Sequence, residues 1–470
     1  MIPLDTLAAL LGPQGLLTDS ADMARWDHDW TGKYRSAPLA VARPATTQQV
    51  SEVMAMCHAA GQQVVPVSGN TGLNGGAAAQ GALVLSLDRM TAIRQIDAGA
   101  RTAEVEAGVI LSRLHDAAAD HDLIFPLTFG ARGSAMIGGV LSTNAGGSNV
   151  LRYGNTRDLV LGLTAVMADG RVMDLMGRLH KDNSGLNLKH LMIGAEGQLG
   201  IITAATVKLF PRPRATATAM VAAASLDAAL TLLHRVQDAT GGAVQAFEFM
   251  PAAFIAGHLR EVAGAKPPFA QAYDINILIE VGATAPRDAT PLPDGSVPIV
   301  TLLEETLAEM MEDGLILDAV TAQSEAQRQE MWARREAAAE ITFARRPFVD
   351  TDIAVALPDV ARFLEEAKRR LLILDPDADD LSVAHLGDGN VHYTAYPSRD
   401  DAGLMAAIRE MVEDVVQDLN GSFSAEHGVG ISKLGSMVRR KDPVALDAMR
   451  SIKAALDPKG ILNPGKTIPR

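Results

Sequence analysis

The chain has 470 residues, enough for two or three domains, and its 48% hydrophobic content can fill ordinary globular cores. A net charge of −14, with no basic run of five or more residues, argues against nucleic-acid or anionic-lipid partners. The single cysteine, Cys57, rules out an internal disulfide and an iron–sulfur ligand set, and no window approaches 18 uncharged apolar residues, so a reducing compartment and no membrane span are expected. The opening Met1-Ile2-Pro3-Leu4-Asp5 has no basic leader, which predicts a cytoplasmic protein and leaves peripheral attachment at the inner membrane open.

Leu4 to Leu11 reads as a short helix, followed by a Gly12-Pro13 break and a polar stretch. Residues 38–42 then read as a strand, Thr47 to Ala60 as a helix capped by the Thr46-Thr47 pair, and 63–67 as the next strand, making a β-α-β unit. That strand empties into Ser68-Gly69-Asn70-Thr71-Gly72-Leu73-Asn74-Gly75-Gly76. So many glycines mean that the backbone itself approaches a ligand closely, and successive N–H groups in such loops form anion-binding nests. After a strand at 103–107 and a helix at 110–119, the segment 126–154 repeats the pattern with Gly130, Gly133, Gly138, Gly139, Gly146, Gly147 and Gly154. Two phosphate-type loops suggest a pyrophosphate. Neither has the G-x-G-x-x-G spacing of a Rossmann site, so a dinucleotide would be held differently.

Strands follow at 161–167, 171–175 and 201–209, and Pro211-Arg212-Pro213-Arg214 is a plausible hinge. Beyond it, Ser225 caps a helix, strands are expected at 244–250, 275–281, 351–357 and 382–396, and 282–298 is a Pro-rich loop. Helices are expected at 299–313, 324–345, 358–371 and 403–419, lying on one face of an antiparallel sheet. The end of the chain, 452–466, is a compact, turn-rich tail.

His385 and His392 lie seven positions apart, an odd spacing that would point them to opposite faces of one flat strand. The intervening Gly387-Asp388-Gly389-Asn390 supplies a turn, so both imidazoles can face one point. With Glu426 the set is two nitrogens and one oxygen, which suits Zn²⁺ first, and Mn²⁺ or Fe²⁺ also.

These glycine loops, Gly194 to Thr203, His385-Leu386-Gly387-Asp388-Gly389-Asn390-Val391-His392, Glu426-His427-Gly428-Val429-Gly430 and Asn463-Pro464-Gly465-Lys466 occur in the order seen in FAD-linked D-2-hydroxy acid dehydrogenases. Over nearly its whole length the chain resembles the D-lactate, D-2-hydroxyglutarate and glycolate dehydrogenase group of the vanillyl-alcohol oxidase flavoprotein superfamily. The resemblance implies an α+β, two-domain flavoprotein: an FAD domain over 1–213, a cap domain carrying substrate and metal over 214–450, and a C-terminal segment, 451–470, returning to the FAD domain. It implies FAD contacts from Pro66, Ser68, Gly69, Asn70, Thr71, Gly72 and Leu73 on the first loop. Gly133, Ser134, Gly138, Gly139, Thr143, Asn144 and Gly146 follow on the second, with Glu196, Ile201 and Asn463 beyond. Cys57 lies outside these loops, and Ser68 and Asn70 flank Gly69, so the flavin is expected to be non-covalent.

The implied chemistry is hydride transfer from C2 of a metal-chelated D-2-hydroxy acid to flavin N5. His427 acts as general base, Asn390 as a hydrogen-bonding partner of substrate, and Arg335 as a bidentate carboxylate clamp. Arg334 and Arg335 are each also readable as solvated helix charges. Hydroxyglutarate enzymes of this group carry a Thr and a Lys for the second carboxylate; the matching positions are Ala339 and the Asp350-Thr351 pair, which favours a D-lactate-like substrate and leaves D-2-hydroxyglutarate open. An electron-transfer flavoprotein or a quinone fits as acceptor, and a homodimer is compatible. The competing function is a metal-dependent hydrolase acting on a nucleotide-type substrate.

Overall fold

A computed structural model describes residues 2–469, which divide into two compact units. One comprises the residues up to Gly146, Gly154–Pro211 and those from Glu426 onward; the other comprises Gly147–Tyr153 and Arg212–Ala425.

In the first unit the helix Thr47–Ala60 forms as its signals dictate. The Thr46 hydroxyl accepts from Gln49 N at 3.1 Å, and Gly61 closes the C-terminus in the left-handed region, φ 64°. Its buried Val50, Val53, Met54 and Cys57 pack on the parallel strands Ala40–Ala42, Leu83–Ser86 and Val64–Val67. A five-stranded antiparallel sheet runs in the order Ile93–Asp97, Thr102–Glu106, Ile201–Lys208, Val160–Val166, Val172–Leu175. The tail docks against Val64, whose N–H donates to Ile461 O and whose carbonyl accepts from Asn463 N, both at 2.8 Å. Asp457 fixes the approach by accepting from the amides of Ile461 and Leu462 at 3.1 and 2.8 Å. A helix, Pro443–Leu456, precedes this docking and corrects the expectation of turn-rich structure from 452.

The second unit is organised around a seven-stranded antiparallel sheet in the order Ile316–Thr321, Ala215–Ala223, Ile275–Ala283, Val244–Pro251, Asp379–His385, Asn390–Tyr396, Val349–Ala354. Side chains alternate across it. Val221, Phe247, Phe249, Ile277, Ile279, Val391 and Tyr393 join a core with the helices Leu226–Thr240, Pro298–Glu312, Val360–Leu374 and Ala402–Asp418. Helices were expected on that face only. The alternate residues Met220, Met250, Leu278, Leu381 and Val383 are also apolar, and burying them requires cover on the opposite face. The helices Ala252–Glu261, Glu325–Glu336 and Ala338–Phe343 provide it through Phe254, Ile255, Met331 and Ile341. The last two replace the single helix expected over 324–345, and they meet at Ala337, whose ψ of 3° leaves the helical range.

The turn between the two histidine-bearing strands spans 386–389, with His385 and Asn390 as its closing cross-strand pair. Gly389 has φ 80°, and a Cβ there would stand 2.1 Å from Val355 O. Gly389→Ala is therefore expected to cost on the order of 2 kcal/mol or more, combining backbone strain with a main-chain clash. A denaturant melt of the variant with an unchanged midpoint would contradict that expectation.

Candidate functional site

In the first unit the two glycine segments meet at van der Waals limits. A Cβ on Gly69 would lie 2.4 Å from Ser134 O, and Cβ atoms on Gly138 and Gly139 would lie 3.0 Å from Ser68 Oγ and 3.2 Å from Ser68 Cβ. Glycine at these positions is what lets the segments approach. Asn70 and Asn144 hold φ 55° and 53°, a conformation that Asn tolerates better than most residues. Among the described residues no N–H from Gly69 to Asn74 donates to a main-chain carbonyl, and the buried Ser68 hydroxyl has no partner. A run of unengaged amides beside an orphaned hydroxyl fits the phosphate groups of a dinucleotide. Thr143 Oγ1 donates to Gly139 O at 3.1 Å, Asn144 Oδ1 accepts from Arg157 N at 2.9 Å, and Pro66 packs where a Cβ on Gly197 would lie 2.5 Å from its ring. Ile201 is buried at the start of its strand.

Glu196 and Asn74 hold the turn that follows His427. Glu196 accepts from Val429 N at 2.8 Å and Gly430 N at 2.9 Å; burial pushes its pKa up against these donors. Asn74 Nδ2 donates to His427 O at 2.9 Å and Gly428 O at 2.7 Å. Asn463 ties the tail to the same place, donating to Glu196 O at 2.7 Å and Gly76 O at 3.2 Å while accepting from Lys466 Nζ at 2.7 Å. Burial lowers the Lys466 pKa to about 8. Cys57 is buried in its helix, where burial pushes the thiol up to about 12, far from the range of a reactive thiolate.

In the second unit a polar row crosses the otherwise apolar face of the sheet. Glu248, 0% exposed, lies opposite His385, and its two oxygens accept from His385 Nδ1 and Arg335 Nε, each at 2.9 Å. Burial pushes the Glu248 pKa up, but the charges of His385 and Arg335 and their hydrogen bonds outweigh it and hold the carboxyl below the usual range. Arg334 and Arg335 are 3% and 8% exposed, so neither is a solvated helix charge, and Arg335 Nη2 is buried without a hydrogen-bond partner. The His385 and His392 rings meet edge to face with centroids 5.5 Å apart. Asp352 is the cross-strand partner of His392, with 3.9 Å between Oδ1 and Nδ1. Asn390 donates through Nδ2 to Asp352 Oδ1 and Ile353 O, both at 2.9 Å, so its amide orients Asp352. Ala425, which directly precedes Glu426 and His427, donates from its N–H to Asp352 O at 3.3 Å.

Glu248 and Asp352 were not singled out in the sequence. The one available signal is a lone acidic residue within a strand of apolar neighbours, as in Phe247-Glu248-Phe249.

Residues 38–176 match the family described as "FAD binding domain", and residues 212–467 match "FAD linked oxidases, C-terminal domain". D-2-hydroxyglutarate dehydrogenase of Xanthomonas citri pv. viticola is 35% identical over 457 residues, covering 96% of this chain and 93% of that protein. The protein of the same name from Stutzerimonas stutzeri is 34% identical and covers 98% of both chains, and the mitochondrial protein of Arabidopsis thaliana is 33% identical, covering 98% of this chain and 80% of its own. Among solved structures, p-cresol methylhydroxylase with substrate bound aligns with a TM-score of 0.73 at 17% identity, over 99% of this chain and 96% of that one. Alkyldihydroxyacetonephosphate synthase aligns with a TM-score of 0.72 at 16% identity, over 98% and 85%. These two likenesses are of fold, the two-domain FAD-binding fold expected from the sequence. None of these relatives supports the hydrolase alternative. With most of its length matched by these families and relatives at such identity aligned almost end to end, the chain belongs to the FAD-linked oxidases, as a member of their FAD-dependent D-2-hydroxy acid dehydrogenase group.

Proposed function

We propose that the chain oxidises a D-2-hydroxy acid to the 2-keto acid, with Arg335 gripping the substrate carboxylate beside a divalent metal. One observation carries the reading: Arg335 is buried and anchored through Nε to Glu248, while Nη2 has no protein partner. A buried, unsatisfied guanidinium nitrogen is costly unless a ligand completes it, and a carboxylate is the matching ligand. Glu248 also supports the metal reading, because a carboxylate on Nδ1 fixes the tautomer in which Nε2 of His385 ligates. Asp352 and His392 bring a carboxylate and an imidazole together as cross-strand partners, and Glu426 would complete the set. With His385 this nitrogen and oxygen set suits zinc, manganese or iron.

Bound FAD supplies the hydride acceptor, and the divalent ion would lower the pKa of the substrate hydroxyl. The chain's own residues do the rest. Arg335 fixes the carboxylate, Asn390 holds Asp352 in place, and His427 takes the hydroxyl proton. Glu196 and Asn74 position His427 by gripping the turn after it. FAD is held without a covalent bond by the residues of the two glycine segments with Pro66, Glu196, Ile201 and Asn463, since the one thiol is buried and unreactive. The relatives are named for D-2-hydroxyglutarate, whereas Ala339 and Asp350 in this chain favour an acid without a second carboxylate, and the composition still favours a cytoplasmic enzyme passing electrons to an electron-transfer flavoprotein or a quinone. No helix among the described residues is long and apolar enough to cross a membrane.

Anaerobic addition of substrate should bleach the flavin band of the wild-type protein, whereas His427→Ala should keep FAD and metal yet lose reduction by roughly 100-fold or more. Wild-type reduction rates in that variant would refute the assigned base. Glu248→Gln is expected to weaken metal binding by about 10–100-fold, as removal of a carboxylate behind a ligand does, measured by competition with a chelator. Unchanged affinity would remove Glu248 from the site. Denaturing precipitation should release all yellow colour to the supernatant; colour in the pellet would mean a covalent flavin.

A further inference from the structure

Asp350 lies on the same strand as Asp352, two residues away, and on the same face of the sheet. Two residues along a strand is about 7 Å, the reach of a substrate tail from the carbon being oxidised. Its cross-strand partner is Thr394, whose hydroxyl donates to Asp350 Oδ1 at 2.9 Å. Among the described residues no cation pairs with the Asp350 carboxylate. The nearest basic side chains along the chain, Arg345 and Arg346, are exposed and lie over the rings of Tyr396 and Phe348, and Arg345 is paired with Asp379 at 2.7 Å. The surroundings are otherwise apolar, with Leu381, Val383, Phe348 and Ile341 in one buried cluster. A substrate held by its carboxylate at Arg335 and its hydroxyl near Asp352 and His392 would extend its far end along this face toward a lone carboxylate.

We propose that Asp350, seated by Thr394, is a specificity-determining residue that selects D-2-hydroxy acids whose tail ends in a hydrogen-bond donor, a hydroxyl or an ammonium, and rejects a second carboxylate. This rests on the D-2-hydroxy acid reading of the same site. Asp350 acts by two physical effects. Its unshared oxygen accepts from a tail donor, and its charge, paired with no basic side chain among the described residues, repels a tail carboxylate.

The test is kcat/KM for D-lactate, D-2,4-dihydroxybutanoate, D-2-hydroxy-4-aminobutanoate and D-2-hydroxyglutarate, on the flavin-loaded wild type and on Asp350→Lys, Asp350→Asn and Arg346→Ala. The wild type should favour the dihydroxy or amino acid over D-2-hydroxyglutarate by about 10-fold or more, as a site built for a donor does. Asp350→Lys should reverse that ratio. Asp350→Asn, which keeps an acceptor for Thr394, should lose the preference for the ammonium while retaining that for the hydroxyl. The flavin spectrum of each variant establishes that it folds. A ratio unmoved by Asp350→Lys, or D-2-hydroxyglutarate turnover that collapses in Arg346→Ala, would overturn the assignment while leaving the oxidation reading intact. Failure of all four acids to reduce wild-type flavin would instead overturn the D-2-hydroxy acid reading itself, and this inference with it.

Discussion

A single fully buried carboxylate, Glu248, organises the second unit. Taking a charge out of water costs several kcal/mol and is tolerated only when partners of opposite sign and good geometry surround it. Glu248 meets that demand with one oxygen on His385 and the other on Arg335, so an imidazole from one strand and a guanidinium from a covering helix are locked to a third element. The consequence is functional because both partners keep a second nitrogen that Glu248 does not use. One of them, Arg335 Nη2, is buried without a protein hydrogen-bond partner, and the proposed substrate carboxylate would complete it.

The sheet makes this arrangement possible by dividing its side chains strictly between two faces. Phe247 and Phe249 enter the larger apolar core, and Glu248 between them emerges on the opposite face. The same alternation brings His392 and Asp352 together as cross-strand partners and sets Asp350 beside Thr394 one rung further along. The turn at 386–389 preserves the phase, since His385 and Asn390 close it as a pair and His392 falls on the same face as His385. In the first unit close packing rather than charge is decisive: Gly69, Gly138 and Gly139 leave no room for a Cβ, and their loops expose amides suited to phosphate.

Much of this was legible because its signals are local. The helix Thr47–Ala60 carries its cap at Thr46, and the turn between the histidines is spelled by Gly387, Asp388 and Gly389. The glycine segments likewise announce close backbone approach. What stayed hidden depends on residues far apart in the chain. Glu248 meets His385 across 137 positions and Arg335 across 87, and Asn74 reaches the His427 carbonyl across 353. An acidic residue inside an apolar strand says only that a partner must exist, and the strand order supplies it. Asn74 read as one more polar residue of an anion loop, yet its amide holds the His427 backbone. The covering helices on the second face were missed for a related reason. Met250, Leu278 and Val383 look like ordinary core residues until the alternation assigns them to a face of their own.

On the proposed reading, the oxidation needs a divalent metal held by the histidine and carboxylate residues together with FAD. The most direct test is to treat the flavin-loaded protein with a chelator, confirm that FAD is retained, and follow anaerobic flavin reduction by a D-2-hydroxy acid as zinc, manganese or iron is added back. Reduction that is lost on chelation and returns with one metal ion per chain is the predicted result. A metal-free protein whose flavin is reduced at an undiminished rate would contradict the account.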